Sequence, residues 1–427
     1  MNQLATSLKH FATATLIALA VAASGSVAAA EPVADPALTW ASLPAASRAA
    51  FDAGPGRRWE ARVRGAHAAV DAVPGDLQTL DLLTRWDNDF TGPDGVEISV
   101  DALVSWRLGG LADRRRGAWR AEAEARAAER DLARFTFEVE AGRRFVAWWE
   151  RQALAEHVAE HLTEQAHFLA PARAAVEKHL VSQLVLSDLE VEVARVEIAA
   201  TRLEGEVAVA ARELQGLLGT ELPPSAAGLG ELDRVAVDTP NPWEAVRDRL
   251  DAHPELRALQ AAEVAARARS EAADAEGGAS LQVGAGFRRT GSDSTWAAAL
   301  VGVSIPLGDP AGAEAADLAG EATALGELRA WRLRELRAEV DALATRYTAA
   351  VTQLRRVVDA LVVPMGDRVV LHERAVLAGR AGLEQLVRAR RDLLEAHHDL
   401  VQVAAEVLSH QANAAAVAAL LTSGGQP

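Results

Sequence analysis

Two stretches of the chain, VEKHLVSQLVLSDLEVEVA at residues 176–194 and VLAGRAGLEQLVRARRDLL at residues 376–394, can be laid over each other at an offset of 200 residues. The matching positions are Val176 with Val376, Leu186 with Leu386, and Ser182 with Gly382. Two further landmarks recur at nearly the same spacing: Ala102-Leu103-Val104 with Ala299-Leu300-Val301, and Pro55 with Pro254. Because self-similarity at one period is the signature of a repeat architecture, the sequence predicts a duplicated unit of about 200 residues.

Long helices with a coiled-coil seam are predicted in the second half of each copy. Apolar residues step by three and four positions without a break, as the seam of a coiled coil requires. In the first copy they are Leu186, Leu189, Val193, Val196, Ala200, Leu203, Val207, Ala210, Leu214 and Leu217. In the second copy they are Leu386, Ala389, Leu393, Ala396, Leu400, Val403 and Val407.

Two-faced strands are predicted ahead of these helices. Apolar and mostly polar residues alternate from Val96 to Leu108, and a weaker alternation runs through 281–288 and 299–307. Period-two alternation indicates a strand with one apolar and one wet face, and about ten such residues can cross a membrane when tilted. The joining loops, DNDFTGPDG at 87–95 and TGSDS at 290–294, are rich in turn residues.

These patterns divide the chain as follows. We predict a signal peptide at 1–30, a first repeat at 31–218, a connection at 219–253, a second repeat at 254–421 and a tail at 422–427. The predicted strands are 76–87, 95–108, 279–290 and 295–307, and the predicted long helices are 111–169, 172–218, 311–362 and 366–421. The first segment has Lys9, an apolar run from Phe11 to Ala23 and small residues before Glu31, which is the pattern of a cleavable export signal.

Composition excludes several classes of function. The chain of 427 residues has no cysteine, so it has no disulfide, no thiol nucleophile and no lipid-attachment cysteine. Its net charge of −16 argues against a nucleic-acid partner, because such partners are held by Lys and Arg. No nucleotide or hydrolase fingerprint is present. We therefore expect no catalytic residue, no metal and no cofactor.

The order of these elements resembles the TolC-type outer-membrane efflux channels, also called outer membrane factors. The resemblance is carried by His253-Pro254-Glu255-Leu256, by VGVSIPL at 301–307, and by the helix returns at 176–186 and 376–386. It covers nearly the whole chain after the signal peptide. The chain departs from the family pattern at Gly308, where an aromatic residue often stands, and at Leu108-Gly109-Gly110, where the first copy lacks the proline.

The resemblance implies a mainly α fold with a membrane β-barrel, in which three protomers close a 12-stranded barrel above a periplasmic helical tunnel. It also implies the outer membrane of a Gram-negative bacterium as location, and an exit duct that passively conducts cargo received from an inner-membrane pump through a periplasmic adaptor. The periplasmic turns would contact the adaptor through Leu180, Val181, Ser182, Gly379 and Gly382. A pore gate would involve Asp188, Arg388, Arg380 and Glu384, and we hypothesise that the opposite charges of Asp188 and Arg388 hold the closed aperture.

Two other interpretations fit parts of the sequence. A periplasmic coiled-coil adaptor or scaffold would use the same heptads without a pore. His157-Val158-Ala159-Glu160-His161 matches the H-x-x-E-H pattern of zinc proteases, although a third ligand and an enclosing cavity are also needed. His167 and the His397-His398 pair could be sites for exported metal cations. We expect them instead to be isolated histidines on helix surfaces.

Overall fold

The computed structural model describes residues 42–74, 77–88, 96–107, 110–179, 181–222, 240–290, 294–305, 310–377 and 380–423. The chain divides into two units, Met1–Leu38 and Thr39–Pro427, and all described residues belong to the second. The predicted signal peptide, Leu180, Gly379, the last four residues of the predicted tail and residues 223–239 of the predicted connection lie outside the described residues.

The described residues of the first half of this unit form six elements. They are α1 (Leu43–Ala53), α2 (Gly56–Ala72), β1 (Leu77–Asn88), β2 (Val96–Arg107), α3 (Leu111–Glu177) and α4 (Gln183–Leu218). With 67 residues, α3 is roughly 100 Å long at about 1.5 Å per residue. The fold is therefore organised along very long helices.

The second half repeats the order of strands followed by long helices. Its elements are α5 (Pro242–Arg247), a 3₁₀ turn (Leu250–Ala252), α6 (Pro254–Glu276), β3 (Ser280–Thr290), β4 (Ser294–Ser304), α7 (Pro310–Val357), a π-helical turn (Val358–Val362), α8 (Val363–Leu377) and α9 (Leu383–Ser423). Among the described residues, no helix is both long and apolar enough to cross a membrane.

The structure corrects two predicted helix boundaries. Helix α3 does not end at residue 169 but continues through Pro171 to Glu177, because Ala172 stays buried against α4 beside Leu169 and Val176. In the second copy the predicted break between 362 and 366 is replaced by the π turn. Pro364 has no backbone N–H to donate to a carbonyl in the preceding turn of the helix. The wider π turn just before it allows the chain to remain helical despite this missing hydrogen bond. The break instead lies between Leu377 and Leu383.

The four strands form one antiparallel sheet in the order β1-β2-β3-β4. Strand β2 pairs with β3 in an unbroken register from Glu97 opposite Thr290 to Arg107 opposite Ser280, and this pairing joins the two halves of the chain. Strands β1 and β4 are the outer strands, and within the described residues each pairs along one side only. The sheet therefore has two open edges.

The helices bury their apolar stripes against one another around α3 and α9. Helix α3 contacts α2, α4, α6 and α9, while α7 contacts α6 and α9. The largest buried cluster includes Trp149, Leu256, Tyr347 and Val407, so it draws on α3, α6, α7 and α9. Many predicted seam residues are buried, including Leu189, Leu214, Leu386 and Ala389. Others are only partly buried, namely Ala200, Val207, Ala210, Leu217, Leu393 and Leu400, and Leu218 is buried at the end of α4 where Leu217 was expected.

Candidate functional site: the sheet faces and the ends of the long helices

One face of the sheet is apolar across its strands. Directly paired residues lie on the same side of an antiparallel sheet, and the register places Val104, Val283 and Val301 in one row. Val301 is 72% exposed and Val303 is 60% exposed. Aliphatic side chains exposed to this degree on a continuous sheet face are suited to lipid and not to water.

The opposite face is mostly polar. At two glycines on this face, atoms of the neighbouring strand come close to the glycine backbone. Asp101 lies across from Gly286, and its carboxylate occupies the space that a side chain at that position would need. Leu103 lies across from Gly284, where an added Cβ would come within 2.9 Å of both Ala102 O and Leu103 Cδ1. Glycine is needed at position 284 because the approaching atoms include the backbone oxygen of Ala102, whereas at position 286 a larger residue would require the Asp101 side chain to move.

The first helix return ends α3 at Glu177 and begins α4 at Gln183. His179 has a φ of +58°, which is unusual for a residue other than glycine, and its backbone N–H donates to Val176 O at 2.9 Å. The Ser182 hydroxyl caps α4 by accepting a hydrogen bond from the Val185 N–H at 3.3 Å. Of the predicted adaptor contacts here, Val181 is partly exposed and Ser182 is exposed.

The second return has a different turn. The backbone N–H groups of Arg380 and Ala381 both donate to Ala375 O, at 2.8 and 3.2 Å. Gly382 precedes α9 and is exposed, as is Arg380. Both returns therefore have exposed residues in the turns where adaptor contact was predicted.

The predicted gate residues do not form one cluster within the described chain. Arg388 pairs with Glu384 of its own helix at 3.1 Å, and both side chains are more than 60% exposed. Asp188 is exposed on α4, and no ion pair joins it to Arg388 among the described residues. Exposed pairs of this kind are worth about 0 to 1 kcal/mol.

A buried arginine that was not singled out from the sequence lies beside these turns. The Arg390 side chain is 8% exposed and bonds Glu373 of α8 at 2.5 Å, while its Nη1 lies 3.3 Å from Glu164 Oε2 of α3. Its guanidinium carbon is 4.4 Å from the centre of the Phe168 ring. Arg390 therefore ties α9 to both α8 and α3, which joins the second helix pair to the first.

The same ion pair occurs in the first copy with its charges exchanged. Arg173 of α3 bonds Glu190 of α4 at 2.9 Å, and both pairs join residues 17 apart. The two pairs are offset by 200 residues, which is the offset of the sequence repeat. The first-copy pair is half-exposed, whereas Arg390 is buried, so equivalent positions have different energetic roles.

The H-x-x-E-H residues lie on α3, and the two histidines among them lie next to α9. His161 is buried and contacts Gln165, with 2.6 Å between the two Nε2 atoms. His157 stacks on His397 of α9 with ring centroids 4.9 Å apart, and Glu160 is 76% exposed. Within the part of the chain that the structure describes, no group of three or more His, Cys, Asp or Glu residues is arranged to hold a metal ion.

Comparison with solved structures identifies the class of fold. The chain resembles the outer membrane protein VceC from Vibrio cholerae with a TM-score of 0.68 at 16% sequence identity, covering 89% of this chain and 96% of VceC. It resembles the outer-membrane channel OprN with a TM-score of 0.66 at 15% identity, covering 88% and 90%. For the Campylobacter jejuni CmeC outer membrane channel the TM-score is 0.62 at 10% identity, covering 92% and 90%.

The chain therefore has the fold of the TolC-type outer-membrane channels, as the order of its sequence elements predicted. The mainly helical architecture with few strands is confirmed. No protein-family model and no curated protein matches the sequence.

Proposed function

We propose that this protein is the outer-membrane exit duct of a tripartite efflux system, which passively conducts substrate from an inner-membrane pump and a periplasmic adaptor to the outside. The proposal rests on one observation above all: a four-stranded sheet with an apolar face and two open edges is followed along the chain by helices of up to 67 residues. An open edge cannot remain unpaired in lipid, so such a sheet needs partner copies to close a barrel.

A homotrimer with a 12-stranded barrel is part of this proposal. Helix α4 carries the exposed apolar residues Leu184, Val191, Ile198 and Val209, and α8 carries Val363, Val370 and Leu371. The two helices contact mainly α3 and α9 respectively, so each has a face free of long-helix neighbours among the described residues. Apolar stripes on two different helices fit a head-to-tail contact that closes into a ring of copies.

The duct proposal is tested by adding purified, signal-cleaved protein to a planar bilayer and measuring its mass in detergent. We expect discrete current steps from a trimer, because only a closed assembly provides a wet path across the membrane. A water-soluble protein without conductance would contradict the duct and leave the periplasmic coiled-coil scaffold as the function to pursue.

We also propose that the pore gate and the adaptor contacts lie at the end of the long helices where the two returns are. Asp188 and Arg388 occupy positions 200 residues apart and carry opposite charges, so in a ring of copies they can meet across a protomer boundary. We expect Asp188→Ala and Arg388→Ala to raise the open probability of single channels, with Glu177→Ala as an exposed control outside the predicted gate. Conductance traces that match those of the wild type would remove these two residues from the gate.

A further inference from the structure

Three histidines form one layer between α3 and α9, close to the Arg390 contacts. His157 of α3 and His397 of α9 stack with an interplanar angle of 22°. His161 lies one helical turn further along α3, is 7% exposed, and has Arg390 and His397 as its charged neighbours across the helix boundary. We call His157, His161 and His397 the histidine layer.

Two polar residues beside the histidine layer, Gln165 and Arg390, are incompletely hydrogen-bonded within the described residues. Gln165 Oε1 and the Nε and Nη1 atoms of Arg390 are buried without a hydrogen-bond partner. The amide of Gln165 contacts Nε2 of His161, and an amide N–H there requires that ring nitrogen to be unprotonated. Buried polar groups left in this state cost free energy in the closed contact between α3 and α9.

The charged groups around the layer have mixed effects on added protons, because the nearby carboxylates favour a protonated imidazole and Arg390 opposes it. On α3 the titratable neighbours are Glu160, which lies 3.7 Å from His157 and is exposed, and Glu164 beside Arg390. On α9 they are Arg390 and His397, and on α8 the facing group is Glu373, which is already bonded to Arg390. Helix α4 contributes Val196 and Leu203 to the adjoining apolar cluster.

We propose that the histidine layer is an acid-sensitive joint, at which protonation separates α3 from α9 and so loosens the second helix pair from the first near the returns. This inference rests on the proposed duct only for its consequence, which is an easier opening of the tunnel end in acid. Two protonated imidazoles stacked face to face repel each other, and a third beside a guanidinium adds to the repulsion.

The direction of the pH dependence follows from the histidines. Burial, with Arg390 and His397 nearby, lowers the pKa of His161 to about 4. Burial and the adjacent His157 also lower the pKa of His397. A histidine whose pKa is lowered by the closed contact binds more protons once the helices separate. The contact between α3 and α9 is therefore most stable near neutral pH, and its stability falls as the pH drops from about 6.5 towards about 4.

The joint is tested by a distance measurement in the full trimer. The chain has no cysteine, so Ala159→Cys on α3 and Glu395→Cys on α9 give two unique, exposed positions for spin labels. Labelled chains are diluted into unlabelled ones so that each trimer reports one α3–α9 distance. We expect the longer distance to gain population between pH 7.5 and pH 5, by up to about tenfold per pH unit for each proton taken up.

Variants separate this joint from general acid effects. The triple variant His157→Asn, His161→Asn, His397→Asn is expected to lose the pH response, and His398→Asn, an exposed neighbour that bonds Gln402, is expected to keep it. If the triple variant does not fold, the pair His157→Asn, His397→Asn should still flatten the response. A pH response that persists without these histidines, or no response in the wild type, would overturn the joint. A response in protein that lacks conductance at pH 7.5 would support the joint and contradict the duct.

Discussion

Glu373→Gln is expected to destabilise the folded protein by about 2 kcal/mol, whereas Glu190→Gln should cost less than about 0.5 kcal/mol. Each glutamate bonds an arginine 17 residues away, but the Arg390 side chain is 8% exposed and the Arg173 side chain is 59% exposed. Replacing the Glu373 carboxylate by a neutral amide removes the closest negative charge from the buried Arg390 guanidinium, which keeps Glu164 at 3.3 Å and the Phe168 ring as contacts. The estimate is below the full cost of breaking a buried pair because the Glu373 side chain is one-third exposed.

The measurement is urea unfolding of detergent-solubilised protein followed by far-ultraviolet circular dichroism. A double variant, Glu373→Gln with Arg390→Met, is expected to recover part of the loss, because the buried charge is removed while its apolar stem is retained. Equal losses for Glu190→Gln and Glu373→Gln would show that solvent screens both pairs alike. That result would also weaken the role assigned to Arg390 in tying α9 to α3.

The same arginine shows where sequence reasoning succeeds and where it stops. The heptad seam predicted burial for Leu186 and Leu386 because a step of three and four residues keeps them on one helix face, and both are buried. Arg390 directly follows the seam residue Ala389, and by residue type it is expected on the surface. Its burial depends on the return of α8 and on Phe168 of α3, which are distant in the sequence.

One sequence signal does point to Arg390. At an offset of 200, Arg173 aligns with Glu373 and Glu190 with Arg390, so two opposite-charge pairs exchange their signs between copies. A search for such exchanged pairs within the repeat would have found the contact, although not its burial. The π turn before Pro364 had no comparable signal, because proline alone is compatible with either a break or a widened helix.

Val301→Arg is expected to prevent assembly in the membrane, whereas Leu300→Arg should be tolerated. The two residues are adjacent on β4, are 72% and 56% exposed, and point to opposite faces of the sheet. In the proposed barrel, Val301 faces lipid and Leu300 faces the wet lumen. An arginine on the lipid face costs about 2–4 kcal/mol near the membrane midplane, and a trimer would contain three of them.

The measurement is the fraction of heat-modifiable trimer in isolated outer membranes, with single-channel conductance for any variant that inserts. Leu300→Arg is expected to insert and to change conductance, because its charge would project into the ion path. If Leu300→Arg blocks assembly and Val301→Arg does not, the apolar face lines the interior and the assigned orientation is wrong. If both variants assemble as well as the wild type, the sheet is not in lipid, and the apolar row of Val104, Val283 and Val301 must instead be covered by protein.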